Sequence, residues 1–530
     1  MDGRSVTMKK FSLVIALVIV MLFAVITPNL THPTGVAFAA KLGTSVETQN
    51  GLVLGTEEAK DGYETWSWKG IPFAEPPERW KAPHPHENWG TLAADTFGSH
   101  CPQYVMTDNG YDLSGSEDCL YLNVWRPRTQ EHNLPVYFWI HGGGNSTGTA
   151  SDPMYHGNKL APRANMVVVT TNYRLGPLGW FVLPESLQDG NPLDDSGNYG
   201  TLDIIQALRW VRANIAAFGG NPNNITIAGE SAGGFNVCTL LISPEAKGLF
   251  HKAISESGGF VFDTNSMDVG RDSTQEAIDR IISNDGYANP SFYPSDLNAY
   301  LLSKTPKEIF DVYPIWIRGM LNPIGFVDRF TDGAVISALG KDALKNPETY
   351  NQVPTILGTN KEEAKFFMAL TGMYGTMTDE DYQESALSMS MQWQQAGVND
   401  LAAAMSANKG QPRVFAYQFN YGAYNESGYN AWPYPYDIMI GSSHGLEMPF
   451  IFGEWIYGGI EQFIFRPDNA KGREALSNSM VKYWAFFART GIPADPSGVV
   501  WKPWSNKEAG AKRIIFDADD TESIIKMSNQ

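Results

Sequence analysis

"ITIAGESAGGF", residues 225–235, reads as a strand that runs into a sharp turn at Ser231 and leaves it as a helix. Gly229 and Gly233 stand two residues to either side of the serine. A nucleophile on a strained strand-to-helix turn has these needs: small flanking residues let strand and helix approach closely, and the helix N-terminus favours negative charge developing during attack. The bare Gly-x-Ser-x-Gly pattern is a cheap signal, because it recurs as GNSTG around Ser146 and as GSSHG around Ser443. Context separates the three. Ser146 follows a glycine run and leads into the loop composition TGTASDPM, and Ser443 has no apolar strand directly before it. Ser231 alone has strand, flanking glycines and helix together.

Outward from this turn, short β-rich runs alternate with helical ones. LYLNVW (120–125), VYFWI (136–140), MVVVTTNY (166–173) and ITIAG (225–229) read as strands, and the second and third are the nearly continuous apolar runs expected of a parallel sheet covered on both faces. TLDIIQALRWVRANIAAF (201–218) reads as a helix with Ile204, Leu208, Val211 and Ile215 on one stripe, ended by Gly219 and Gly220. VPTILGT (353–359), VFAYQFNY (414–421) and RIIFDA (513–518) supply later strands. Helical stretches at 271–310 and 378–408 look like insertions capping the sheet. With no linker, repeat or low-complexity segment, the expectation is one α/β domain over residues 40–530, a large mostly parallel sheet flanked by helices.

Composition narrows the class. The 530 residues are 43% hydrophobic and 18% charged, which is globular, and the net charge of −18 with no basic stretch argues against nucleic acid. Arg4, Lys9 and Lys10 precede the apolar run Phe11–Ile26, and AFAA (37–40) supplies the small residues of a cleavage site. The run is shorter than the roughly 20 residues needed to span a bilayer. Residues 1–39 therefore read as a cleaved secretory signal, with no stable membrane span afterwards. Three cysteines in an exported chain suggest one disulfide and one spare thiol. Cys101 and Cys119 bracket a polar loop, whose closure would contribute about 3 kcal/mol, and Cys238 lies in the apolar run after Ser231.

The partners of Ser231 follow from chain order. HGGG (141–144) directly follows a strand and exposes backbone N–H groups without side-chain obstruction, as an oxyanion hole requires. In an α/β-hydrolase the order is serine, acid, histidine. Of nine histidines only His251 and His444 follow Ser231, and His251 leaves too little chain for an acid-bearing strand. His444 is thus the candidate base. The strand VPTILGT leads into Glu362 and Glu363, and spacing does not decide between them. The tract YGAYNESGYNAWPYPYD (421–437), rich in tyrosine, either lines a gorge or packs as a loop. His84 and His86 read as surface histidines, and Asn145, Asn224 and Asn425 as chance glycosylation sequons.

Taken together these blocks resemble the type-B carboxylesterase/lipase family, which includes p-nitrobenzyl esterases and cholinesterases. FGGNPNNITIAGESAG (218–233) is similar to the family's serine signature and EDCLYLNVWRP (117–127) to its second one. KGIPFAEPP, NYRLGPLGWF and GNYGTLD resemble further family blocks, and the resemblance runs from about residue 45 to the C-terminus, dense up to Gly259 and patchier beyond. It implies the α/β-hydrolase fold and a serine carboxylesterase working through an acyl-enzyme with no cofactor and no metal. By position it makes Ser231 the nucleophile, His444 the base and Glu363 the acid. The oxyanion donors become Gly143, Gly144 and Ala232, with Ser257 and Glu230 in support and Cys101–Cys119 as the first disulfide. Two departures stand out: Ala364 replaces the glycine usual after the acid, and the disulfide loop lacks the tryptophan that binds choline in cholinesterases. The expected partner is a small to medium, uncharged ester. The alternatives are a triglyceride lipase and a catalytically inactive, neuroligin-like adhesion module.

Overall fold

The computed structural model describes residues 41–287, 294–317, 319–321, 326–424 and 428–530. The expected secretory signal, residues 1–39, lies outside them. Leu42–Gln530 forms one compact unit.

Its centre is an eleven-stranded sheet. In chain order the strands are β1 (Thr56–Lys60), β2 (Tyr63–Pro72), β3 (Tyr121–Pro127), β4 (Leu134–Ile140), β5 (Val167–Thr171), β6 (Gly220–Glu230), β7 (Lys252–Glu256), β8 (Thr355–Asn360), β9 (Val414–Phe419), β10 (Arg513–Ala518) and β11 (Ser523–Ser528). They lie side by side as β1-β2-β3-β5-β4-β6-β7-β8-β9-β10-β11. From β5 to β10 every neighbouring pair is parallel. The edges, β1-β2-β3-β5 and β10-β11, are antiparallel. The hairpin between β1 and β2 turns through Asp61 and Gly62, both at positive φ, the geometry that Asp-Gly favours in two-residue hairpins.

The period of two along each buried strand sorts side chains between the faces. In β4, which is buried throughout, Val136, Phe138 and Ile140 join one core while Tyr137 and Trp139 join the other. The helices that close these cores are α1 (Gly157–Ala164), α2 (Tyr199–Asn214), α3 (Ala232–Leu241), α4 (Met267–Asn284), α5 (Ala364–Leu370), α6 (Asp379–Gln394), α7 (Asp400–Ala407) and α8 (Ala470–Thr490). α2 and α3 cover the first face through Ile204, Leu208, Val211 and Val237, and α1 and α8 cover the second through Leu160, Met480, Trp484 and Phe487. Full burial of one such side chain is worth about 1.5–3 kcal/mol. The stripe expected on α2 is fully buried. The helix itself ends at Asn214, short of Phe218, because turns through Ile215 and Ala216 and the positive φ of Gly219 redirect the chain into β6.

Cys101 and Cys119 are joined in a disulfide, and the loop between them folds as a hairpin of Gln103–Thr107 with Gly110–Ser114. Cys238 is free and buried. Among the described residues no helix is long and apolar enough to cross a membrane.

Candidate active site

β6 ends at Glu230 and α3 begins at Ala232, so Ser231 is the whole connection. It takes φ 56° and ψ −124°, a conformation that costs a non-glycine residue of order 1–3 kcal/mol and persists only where the surroundings enforce it. The enforcement is steric. A Cβ on Gly229 would lie 2.6 Å from the backbone of Gly233, and one on Gly233 would collide with the Ile140 carbonyl oxygen. The Ser231 N–H is fixed by the Glu256 carbonyl at 2.9 Å. Ser231 is part-exposed, while Ser146 and Ser443 are buried. The Ser146 hydroxyl accepts from the Leu321 N–H at 3.2 Å, and Ser443 shares a hydrogen bond of 2.8 Å with the Tyr457 hydroxyl. Both are structural serines.

His444 lies on the loop after Gly441, and its Nδ1 meets Glu363 Oε2 at 2.6 Å. The other Glu363 oxygen accepts from the Asn360 N–H at 2.7 Å, which orients the carboxylate from the end of β8. Glu362 points elsewhere. It pairs with buried Lys365 at 2.8 Å, accepts the Ser442 N–H at 2.9 Å, and its own N–H bonds the Ser442 carbonyl. Asn360 adds a third strut through Nδ2 to the Ser443 carbonyl at 2.7 Å. Of the two glutamates that spacing leaves open, Glu363 is the one bonded to the imidazole, and Glu362 bonds the backbone of the loop before it.

His444 Nε2 makes no hydrogen bond and stands 3.1 Å from Glu230 Oε1. Burial opposes a charge on His444, but the carboxylates of Glu230, Glu363 and Glu447 outweigh it and hold the imidazole's pKa above its ordinary value, at about 9. Burial pushes Glu230 up to about 8, against the pull of His444 and with help from Glu447 and Glu363. The imidazole and this carboxylate therefore compete for a proton. Glu447, one turn after His444, is raised to about 7, first by burial and then by Glu363. It accepts from Ser257 Oγ at 3.1 Å and from Asn360 Nδ2 at 2.6 Å. The rings of Phe366, Phe367 and Trp393 stand 5.0–5.8 Å from the imidazole and surround it with apolar surface.

HGGG follows β4, and its first glycine, Gly142, passes so close to the serine turn that a Cβ on it would lie 3.0 Å from Ser231 Cβ. Gly143 and Gly144 have φ of 103° and 61°, and their turn is closed by the Ser146 and Thr147 N–H groups on the Gly143 carbonyl. Among the described residues no protein group accepts from the N–H of Gly143, Gly144 or Ala232. His141 holds the strand end: it stacks on Tyr173 at 4.5 Å, its Nδ1 bonds the Gly142 carbonyl, and burial lowers its pKa to about 4, so the ring is neutral.

The tyrosine-rich tract divides. Tyr421 and Trp432 are core residues, while Tyr424 and Tyr434 are exposed, and Asn425 falls outside the described residues. Asn145 is fully buried with its amide engaged, so it is no glycosylation site. His86 sits 3.4 Å from Glu75 at the surface. Sequence reasoning passed over Asn360, Lys365, Trp393 and Glu447. Only Glu447 left a trace, as an acid three residues after the histidine.

A model of the carboxylesterase family matches residues 43–397 and 374–527. The chain is 33% identical to the para-nitrobenzyl esterase of Bacillus subtilis over 90% of its own length and 95% of that protein. It is 31% identical to human bile salt-activated lipase, covering 92% of this chain and 68% of that one. Among solved structures, a Geobacillus stearothermophilus carboxylesterase superposes with a TM-score of 0.72 at 29% identity, over 92% of this chain and 98% of the other. With a glycine-walled serine turn, a parallel sheet behind it and family similarity over residues 43–527, this chain belongs to the carboxylesterase family, as a carboxylic ester hydrolase built on the α/β-hydrolase fold.

Proposed function

We propose that the protein is a secreted serine carboxylesterase that hydrolyses small to medium, uncharged esters through an acyl-enzyme. The observation that carries this reading is the strained Ser231 turn; the His444–Glu363 pair, closed at 2.6 Å, supports it, with the imidazole 3.1 Å from the carboxylate of Glu230, the residue before the serine. Ser231 Oγ attacks the ester carbonyl carbon and its proton passes to His444 Nε2, the ring nitrogen left free of hydrogen bonds. Glu363 holds Nδ1–H and balances the imidazolium. The carbonyl oxygen, now negative, accepts from the N–H groups of Gly143, Gly144 and Ala232; removing one such donor costs about 10²–10³ in kcat. Collapse expels the alcohol, which takes its proton from His444. Water then attacks the acyl carbon with His444 again as base, and the acid leaves.

Substrate choice rests on what surrounds the site. A choline ester gains about 0.5–2 kcal/mol from an aromatic face near its ammonium. The disulfide loop offers only Tyr104, which is buried with its hydroxyl on Asp311, and Tyr111. The three rings around His444 suit an apolar ester instead. Secretion is supported by the basic, apolar and small-residue order of residues 1–40, and the N-terminal sequence of exported protein should begin near Ala40.

Labelling with a fluorophosphonate followed by peptide mapping tests the chemistry: the adduct is expected on Ser231 and to be lost in Ser231→Ala, while Ser146→Ala and Ser443→Ala still label. An adduct elsewhere overturns the assignment, and no adduct with no turnover favours a binding module. p-Nitrophenyl acetate and butyrate should be good substrates. Acetylthiocholine turned over as efficiently as the butyrate, or a jump in rate as a triglyceride passes its solubility limit, would overturn the substrate class.

A further inference from the structure

The loop Gly144–Gly148 carries a Gly-x-Ser-x-Gly pattern without a nucleophile, and the residue that does most in it is Asn145. It has no exposed surface and φ 54°, a left-handed conformation that asparagine tolerates better than most residues. Every hydrogen-bonding face of it that reaches across the site has a partner. Oδ1 accepts from Asn236 Nδ2 at 2.8 Å, Nδ2 donates to Asp328 Oδ2 at 2.6 Å, and the carbonyl accepts from the Gly176 N–H at 2.8 Å.

Asn236 belongs to α3, the helix whose first residue is Ala232. Gly143 and Gly144 immediately precede Asn145. The Asn145–Asn236 hydrogen bond therefore ties together the two segments that carry the oxyanion donors, one a run of three glycines and the other a helix start. Glycine backbone loses more conformational freedom on ordering than any other, so this run depends on its neighbours to stay in place. Donors act on a developing oxyanion only when held in place beforehand. We infer that Asn145 is a positioning residue that sets the spacing between the Gly143–Gly144 and Ala232 N–H groups, with Asp328 and Asn236 as its two anchors. This rests on the reading of Ser231 as the nucleophile. The amide is required because it must donate to a carboxylate on one side and accept from an amide on the other. A carboxylate at 145 would face Asp328 with like charge, while an apolar side chain would take the acceptor from buried Asn236 Nδ2 and leave part-exposed Asp328 to its ion pair with Arg329 Nε at 3.0 Å.

The test compares the wild type with Asn145→Ala, Asn145→Asp and the double variant Asn145→Asp/Asp328→Asn, using p-nitrophenyl butyrate and a trifluoromethyl ketone that forms an oxyanion on the nucleophile. In the two single variants kcat should fall about tenfold to a hundredfold, less than loss of a donor outright. KM should stay within threefold, and affinity for the ketone should fall in step with kcat. In the double variant the carboxylate introduced at position 145 accepts both from Asn236 and from the amide introduced at position 328, so most of both should be recovered. It also keeps the test informative if a single variant fails to fold. If folded single variants keep kcat and ketone affinity within twofold of wild type, or the double variant regains melting temperature without either, the inference fails while fluorophosphonate labelling of Ser231 leaves the wider reading standing. Absence of labelling and of ketone binding in the wild type removes both.

Discussion

The turn at Ser231 and the loop at His444 are both immobilised, by opposite means. Around Ser231 the restraint is steric: Gly229 and Gly233 face backbone so closely that no side chain fits, and the strained serine has nowhere to relax. Around His444 the restraint is polar. Asn360 and Glu362 reach across from β8 to bond the backbone of Ser442 and Ser443, Lys365 secures Glu362, and the Tyr457 hydroxyl donates to the His444 carbonyl at 2.6 Å. The difference matches the two tasks proposed for these residues. A nucleophile needs one fixed position, whereas an imidazole that takes and returns a proton twice per turnover needs a defined axis with small freedom about it.

That contrast can be broken at either end. The largest effect is expected at the polar end from Glu363→Gln, which keeps the shape but strands the imidazole without its balancing charge. kcat should drop by about 10³–10⁴ with the melting temperature nearly unchanged, and a stopped-flow burst of the acylation step would locate the loss in chemistry. Next comes Gly233→Ala at the steric end. One methyl against the Ile140 carbonyl should displace Ser231 and cost about a hundredfold or more in kcat/KM, with a lower melting temperature visible by calorimetry. A fully active Gly233→Ala would end the steric account.

Glu362→Gln should be milder in activity and harsher in stability. The Ser442 N–H keeps an acceptor, but the Lys365 ammonium, 1% exposed, loses its counter-charge. Breaking a buried pair from one side costs about 3–5 kcal/mol, so the melting temperature should fall clearly while kcat falls about tenfold. Adding Lys365→Met should restore much of the stability. The smallest change is a shift in pH dependence. His444 acts as base only when neutral, and carboxylates including Glu230 raise its pKa against the effect of burial. The acidic limb of kcat/KM should therefore lie above the ordinary histidine range. Glu230→Gln should move it to lower pH. Stability runs the other way with pH: a raised histidine pKa contributes stability in full below the unfolded value of about 6.5, and that contribution is lost as pH rises through about 9. An acidic limb that stays put in Glu230→Gln would show that this carboxylate does not set the proton's affinity.

What was legible in the sequence follows the range of the forces involved. The Ser231 turn and strands β4, β5, β6 and β10 are written in neighbouring residues, as glycine spacing and unbroken apolar runs. Of the antiparallel edges, β3, β5 and β10 are read as strands but β1, β2 and β11 are not; Asp61-Gly62 advertises the first hairpin, yet β1 has an exposed face and no apolar run. β7 was missed because KAISE ends in residues that look solvated. Glu256 is nevertheless fully buried, with Trp484 Nε1 on its carboxyl at 2.9 Å and its pKa driven well up by burial. Glu363 was chosen over Glu362 only through family resemblance, since what separates them is which one meets a loop about eighty residues away. Lys365 carried no signal at all: nothing near it in sequence says that a lysine in an apolar helix start will be sealed over a glutamate.

The run of parallel strands from β5 to β10 has a consequence for how the enzyme is made. Parallel neighbours are never joined by a hairpin, so each pairing closes a long loop before any contact rewards it, and such topologies fold slowly. Ser231 is held between β4 and β7, and Glu363 finds His444 across 81 residues of chain. No local fragment can assemble this site. Recovered turnover during refolding should therefore trail recovered helix content, and the time between the two measures how long the chain waits, collapsed but inactive, for its last distant strands to pair.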